Sequence, residues 1–353
     1  MSFRRARIVP ALFLASLVAL APQPLPAASQ CEWNGIERVV AIGDVHGAYD
    51  RFVEILRTAG ILDNDLRWAG GRTHVVQLGD VLDRGDDSRK ALDLIRRLER
   101  PAEAAGGRWH QLMGNHEVAR MLGDLRLVRP AEYAAFANAD SVTTRERYLK
   151  TLPRSAGDHN ALIKQLPLGF VEMRQAFGRD GEYGRWLRQL PVAIKIDGVL
   201  FVHGGISLAV APLGCDGIND QVRRELTNDL EKTRANPLES LTARADGPLW
   251  YRGLAQEPDT FAPQVTDMLS KLRARAIIVG HTVTPTNRIT PRFDGRVIEI
   301  DTGMQPAYIP DGRASALDIR GADATAIYVD RRDPVELPRR EGSAVPQPVA
   351  VRR

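Results

Sequence analysis

Leu78-Gly79-Asp80-Val81-Leu82-Asp83-Arg84-Gly85 is the stretch whose reading decides the fold. It follows a short apolar run, Val75-Val76-Gln77-Leu78, that reads as a buried strand. It precedes Asp86 to Leu98, where Ala91, Leu92, Ile95 and Leu98 recur at helical spacing. Asp80 therefore falls at the carboxyl end of a strand, and Asp83-Arg84 in the turn before a helix. In open α/β sheets this crevice is where ligands bind. A carboxylate there suits a hard metal ion, and an arginine beside it suits a phosphate.

Two further units of the same kind surround it. Arg38 to Ile42 reads as a strand ending in Gly43-Asp44-Val45-His46-Gly47, with a helix over Tyr49 to Ala59. After a loop through Pro101 and Gly106-Gly107, Trp109 to Met113 reads as a third strand, running into Gly114-Asn115-His116-Glu117. Three strand-loop-helix units in succession predict a parallel sheet covered by helices. From Val118 to about Leu190, segments near 130–138, 142–152, 159–177 and 181–190 read as helices, with Pro130, Pro153 and Pro167 as breaks or first-turn residues. This region is expected to be a helical insertion whose alternating charges form a solvated face.

Strands resume at Val192 to Ile196 and Val199 to Val202, joined by a hairpin turn at Asp197-Gly198 and followed by His203-Gly204-Gly205. A polar helix near Asn219 to Thr233 and a helix over Phe261 to Leu272 lead to the strand Ala276 to Val279, which ends at Gly280-His281. Short strands near 288–291, 297–301, 315–319 and 325–329 are expected to form a second sheet. Residues 331–353, rich in Pro and Arg, read as a disordered tail.

The 353 residues carry 48 basic and 44 acidic side chains, 44% hydrophobic and 26% charged overall, as in ordinary globular domains. Arg4, Arg5 and Arg7 account for the excess within residues 1–29; without them 45 basic residues face 44 acidic ones. Bulk charge thus gives no case for nucleic-acid binding. The same three arginines, the apolar run Ile8 to Ala21 and the small residues Ala27-Ala28-Ser29 read as a signal peptide. Export to the periplasm, or secretion, with no stable membrane span after cleavage is the expectation; an uncleaved anchor is the alternative. In an oxidising compartment Cys31 and Cys215 either pair or stand as unrelated thiols.

Asp44, His46, Asp80, Asn115, His203 and His281 all follow apolar strands and sit beside glycines, which let the backbone turn sharply and a ligand approach. A lone His after a strand is usually structural. Five polar loops on one sheet edge have no structural reason to recur. Asp44 and His46 are candidates for a first cation, Asn115, His203 and His281 for a second, with Asp80 bridging. Imidazole and oxygen ligands suit Mn, Fe, Zn or Co better than Ca. Two such ions about 3.5–4 Å apart would activate a shared water for attack on phosphorus.

Taken together, Gly43-Asp44-Val45-His46-Gly47, Gly79-Asp80-Val81-Leu82-Asp83-Arg84-Gly85, Gly114-Asn115-His116-Glu117, His203-Gly204-Gly205 and Gly280-His281 resemble the phosphoprotein phosphatase branch of the calcineurin-like metallophosphoesterases. Trp68-Ala69-Gly70-Gly71, Gly123-Asp124-Leu125-Arg126 and Pro248-Leu249-Trp250-Tyr251-Arg252-Gly253 look most like the bacterial-type Shewanella-like phosphatases. The resemblance spans about Val39 to Met304. Leu82 stands where many relatives carry valine, and Met113 where eukaryotic-type enzymes carry arginine.

The resemblance implies a β-sandwich with flanking helices (αββα) over residues 30–330, with the insertion at 118–190. It implies two divalent metal ions, manganese foremost, and a phosphomonoesterase acting on phosphotyrosine or phosphoserine/threonine in proteins, or on small phosphoesters. A metal-bridging hydroxide would attack directly, without a phosphoenzyme. His116 would be the general acid, Asp83 its orienting carboxylate and Arg84 a phosphate ligand. Arg252, with its neighbour Tyr251, is the candidate for a second phosphate contact, and Asn115 borders the substrate. A dinucleoside tetraphosphatase-like nucleotide hydrolase and a non-catalytic pseudophosphatase are the alternatives.

Overall fold

The computed structural model describes residues 31–152 and 166–339. The segment read as a signal peptide, part of the helix expected from 159 and the chain beyond 339 lie outside them. Among the described residues, twelve strands form two six-stranded sheets. In the first, β2 (Val39–Ile42), β3 (His74–Gln77) and β4 (Arg108–Gln111) run parallel, and β10 (Ser315–Arg320), β11 (Asp323–Tyr328) and β12 (Arg332–Glu336) extend the β2 edge antiparallel. The second has the order β1 (Glu32–Trp33), β5 (Ala193–Ile196), β6 (Val199–Val202), β7 (Ala276–Val279), β9 (Val297–Glu299), β8 (Thr290–Arg292).

Alternation along the strands explains the layers. Val39, Ala41, Val76 and Leu78 share one buried cluster with Ile194, Ile196, Phe201, Ile278 and Ile298, the core between the sheets. Val40, Ile42 and Val75 belong to a second cluster, with Phe52, Ile55 and Leu56 of α1 (Tyr49–Thr58) and Leu92, Ile95 and Leu98 of α2 (Ser88–Ala104). Apolar on both faces, β2 reads as an unbroken hydrophobic run, and β3 keeps Val75 and Val76 at its centre. Helices outside and two sheets inside give the expected αββα sandwich.

Several expectations are corrected. The four late strands do not form a sheet of their own: β8 and β9 join β7, whereas β10 and β11 join β2. The tail does not begin at residue 331, because β12 pairs with β11. Pro334 hid it; a proline is tolerated there because β12 is an edge strand. α2 continues through Pro101, with Ala102 buried beyond it. The polar helix divides into α8 (Gly214–Thr227) and α9 (Leu230–Ala235).

Other local readings hold. Asp197 (φ 48°) and Gly198 (φ 78°) make the left-handed turn between antiparallel β5 and β6. Between β4 and β5 lie α3 (Asn115–Leu122), α4 (Pro130–Ala134), α5 (Ser141–Thr151), α6 (Phe170–Phe177) and α7 (Glu182–Leu187). Pro130 opens α4, where its missing N–H costs nothing. Cys31 and Cys215 form a disulfide with Cα atoms 6.2 Å apart, tying the start of β1 to α8.

Candidate metal centre and active site

The loops leaving β2, β3, β4, β6 and β7 converge at one end of the sandwich. Gly79 (φ 99°) and Gly114 sit back to back, and a Cβ on either would strike the other loop. The close approach brings Asp80 beside the start of α3, where its Oδ1 accepts the His116 N–H at 2.9 Å. Asp80 Oδ2 lies 3.3 Å from His203 Nε2, 3.7 Å from His116 Nε2 and 3.8 Å from His46 Nε2. Asp80 is thus the centre of the cluster. Burial opposes its charge, but His203, His116 and His46 hold its carboxyl well below the usual range.

Hydrogen bonds fix which imidazole nitrogen faces inward. His46 Nδ1 donates to Leu82 O at 2.8 Å, and His203 Nδ1 to Leu78 O at 3.0 Å. Their Nε2 lone pairs are left for the cluster, the arrangement metal-binding histidines adopt. His203 Nε2, Asn115 Oδ1 at 2.9 Å and Asp80 Oδ2 then face one another as acceptors. His281 Nε2 is buried without a hydrogen-bond partner among the described residues. Burial, then the neighbouring His203, pushes its pKa down to about 2. Burial pushes His46 down to about 4. Asp44 is pushed well up by burial, then by Asp301 and Asp80. Neutral imidazoles beside crowded carboxylates make a donor set suited to a divalent cation.

Among the described residues, two groups of three have ligand atoms mutually within 4.8 Å: His46, Asp80 and His116, and Asp80, His203 and His281. Asp44 Oδ2 stands 3.8 Å from His46 Nε2, and its Oδ1 accepts the His281 N–H at 3.0 Å. His116 is distinguished from the other histidines by its partner: its Nδ1 donates to Asp83 Oδ2 at 2.7 Å. Burial lowers its pKa, but Asp80 and Asp83 outweigh that and raise it.

A pocket of about 500 Å³ opens over the cluster, lined by His46, Asp80, Asp83, Arg84, Asn115, His116, Trp250, Arg252, His281 and others. The Arg84 guanidinium stacks 3.7 Å from the Tyr308 ring centroid, and its buried Nε has no hydrogen-bond partner among the described residues. Arg252 is held by His281 O at 3.0 Å and Thr282 Oγ1 at 2.9 Å. Tyr251 is not brought into this pocket; it lines the neighbouring groove, and Trp250 lines both.

The profile of the calcineurin-like phosphoesterase family matches residues 37–285. The chain belongs to that family. It is similar to Shewanella-like protein phosphatase 2 of Arabidopsis thaliana, 30% identical over 82% of this chain and 77% of the relative. It is similar to Shewanella-like protein phosphatase 1 of Plasmodium berghei, 28% identical over 77% and 68%. Among solved structures it resembles the cold-active protein-tyrosine phosphatase of a psychrophilic Shewanella species, with 30% identity and a TM-score of 0.68, covering 87% of this chain and 82% of that one. This calcineurin-like phosphoesterase is a metal-dependent phosphatase acting on phosphoric monoesters, as its motifs implied.

Some residues at the site have no role assigned from the sequence. Glu117 was part of a motif but had no role. Its Oε2 accepts the N–H groups of Asp80 and Gly114 (both 2.8 Å), and its Oε1 those of Val81 (2.9 Å) and Leu82 (3.3 Å). Asp301 and Tyr308 line the pocket from the loop after β9. Arg120 and Glu132, in the region read as a solvated face, are buried: Arg120 Nη2 bonds Asp83 Oδ1 and, at 2.9 Å, Glu132 Oε2. That expectation is corrected at these positions.

Proposed function

We propose that this phosphatase hydrolyses phosphorylated tyrosine or serine/threonine in proteins, in an exported compartment, with the six strand-end residues holding two divalent ions. The observation that carries the reading is the convergence of His203 Nε2, Asn115 Oδ1, Asp80 Oδ2 and the unpartnered His281 Nε2 beneath a pocket containing Arg84. Asp44, His46 and Asp80 would hold one ion; Asp80, Asn115, His203 and His281 would hold the other. When bound, such ions acidify a water and neutralise charge on the phosphoryl oxygens, and Mn²⁺ suits this donor set.

The remaining steps belong to the chain. Arg84 and Arg252 bind phosphate oxygens, a task for which the planar guanidinium fork is suited. Arg84, with its unpartnered Nε, and the anchored Arg252 both line the pocket. His116 holds the proton that the leaving oxygen receives, and Asp83 keeps it aimed by binding Nδ1–H. Similarity to phosphatases named for proteins, one of them for phosphotyrosine, supports the substrate class. The signal-like segment and the Cys31–Cys215 disulfide support export. Among the described residues no helix is long and apolar enough to cross a membrane.

The test is a panel of phosphotyrosine, phosphoserine and phosphothreonine peptides and a dinucleoside tetraphosphate, assayed after chelation and after each divalent metal is restored. Peptide hydrolysis that vanishes with chelation and returns with Mn²⁺ is expected. Full activity in strong chelator, or faster turnover of the nucleotide, would contradict the proposal.

A further inference from the structure

Each N–H of the turn from Asp80 to Arg84 is held, and the holders change halfway. Glu117 takes Asp80, Val81 and Leu82. Glu132 Oε1 takes Asp83 N–H at 3.3 Å, and Leu127 O takes Arg84 N–H at 3.2 Å. Asp83 (φ 69°) and Arg84 (φ 64°) are both left-handed, a conformation that non-glycine residues keep only when their surroundings impose it.

Glu132 also reaches the Asp83 side chain through Arg120. The side chains of Arg120 and Glu132 are 2% exposed and that of Asp83 is 3%. One guanidinium nitrogen therefore bridges two buried carboxylates, one of which is committed to His116. α6 fixes the other side of Arg120: its Nη1 lies 3.2 Å from Met173 Sδ, and its guanidinium 5.1 Å from the Phe177 ring centroid. Burying three charges is expensive, and apolar packing would often be at least as stable. The arrangement is better explained by what it aims than by what it stabilises.

We infer that Arg120 and Glu132 are positioning residues through which the helical region sets the aim of the His116–Asp83 dyad. The inference rests on the proposed role of His116 as proton donor. The partners of Arg120 and Glu132 are Asp83, each other and Met173, not the side chains of Arg84 and Arg252 that line the pocket. Their effect should therefore appear in the step that needs a well-aimed proton rather than in substrate affinity.

The experiment compares p-nitrophenyl phosphate, whose leaving phenol is acidic, with a phosphotyrosine peptide, whose leaving phenol has a pKa of about 10. In the metal-loaded enzyme, Arg120→Met should lower kcat on phosphotyrosine roughly 10- to 100-fold, within the ~10²–10⁴-fold that acid catalysis supplies. The loss on p-nitrophenyl phosphate should be several-fold smaller, KM and metal content should hold, and Arg120→Lys should recover part of the rate. Glu132→Gln, which keeps Arg120, should show the same pattern more weakly if Arg120→Met fails to fold. In a His116→Asn background neither change should slow the enzyme further. Equal losses on both substrates, or additive losses in that background, would overturn the inference. Should His116→Asn be slow while Arg120→Met and Glu132→Gln match the parent, the positioning inference fails alone. Full phosphotyrosine turnover by His116→Asn would remove the acid assignment and the inference with it.

Discussion

The two halves of the turn after β3 are built differently. Asp80 to Leu82 are gripped by Glu117, which stands at the start of α3 beside Asn115 and His116. Asp83 and Arg84 are gripped from farther along the chain, by Leu127, Glu132 and Arg120. The first half carries the candidate bridging ligand, and the second the proposed acid-orienting and phosphate-binding groups. The metal-facing half is therefore fixed by the first turn of α3, directly where the chain leaves β4. The half that handles the proton and phosphate depends on the chain beyond that turn, from Arg120 through Leu127 to Glu132 at α4.

This division can be broken most severely at Asp80. Asp80→Asn should release metal, seen by elemental analysis, and lower activity by more than the roughly 10–100-fold typical of losing a ligand's supporting partner. Retention of two ions at full occupancy would show that Asp80 does not join the two sites. His116→Asn should instead keep both ions and lose roughly 10²–10⁴-fold in rate on a phosphotyrosine peptide. An unchanged rate would leave the second half without its proton donor.

The first half was largely legible in the sequence. Its ligands follow apolar strands and sit beside glycines, and the reason is local: a strand must end, turn and present a side chain within a few residues. The Asp197-Gly198 hairpin was legible for the same reason. The second half was half legible. Asp83 and Arg84 lie in a motif, but Arg120 and Glu132 are 37 and 49 residues from Asp83. Their charges alternate along helices as exposed charges do, and only the packing of α4 and α6 puts them inside. Asp301 and Tyr308 come from the loop after β9, where no motif marks a site. The late strands show the same limit at the level of the fold: Leu317 pairs with Ala41 across most of the chain, a partner that composition cannot name.

Glu299 on β9 sharpens the comparison by lacking what Glu117 and Glu132 have. It is buried, its Oε1 has no hydrogen-bond partner among the described residues, and the nearest Arg292 nitrogen is 3.7 Å away. Burial pushes its pKa up to about 7, against which Arg292 works. A carboxyl raised on folding destabilises the protein progressively as pH rises from its unfolded value near 4.3 through about 7. Glu299→Gln should therefore raise Tm relative to the parent at pH 8, with the gap closing below pH 4. A gap independent of pH would show that ionisation of Glu299 is not the cause. The effect on metal content and turnover should be the smallest of the series.

The most direct test of the two-part turn sets Glu117→Gln beside Glu132→Gln, with bound metal and kcat measured on the same folded samples. Glu117→Gln should weaken metal binding, by roughly 10–100-fold, because amide nitrogen replaces an oxygen facing backbone N–H groups behind Asp80. Glu132→Gln should hold two ions per chain and turn over phosphotyrosine more slowly. Equal metal loss in both variants, or metal loss confined to Glu132→Gln, would contradict the account.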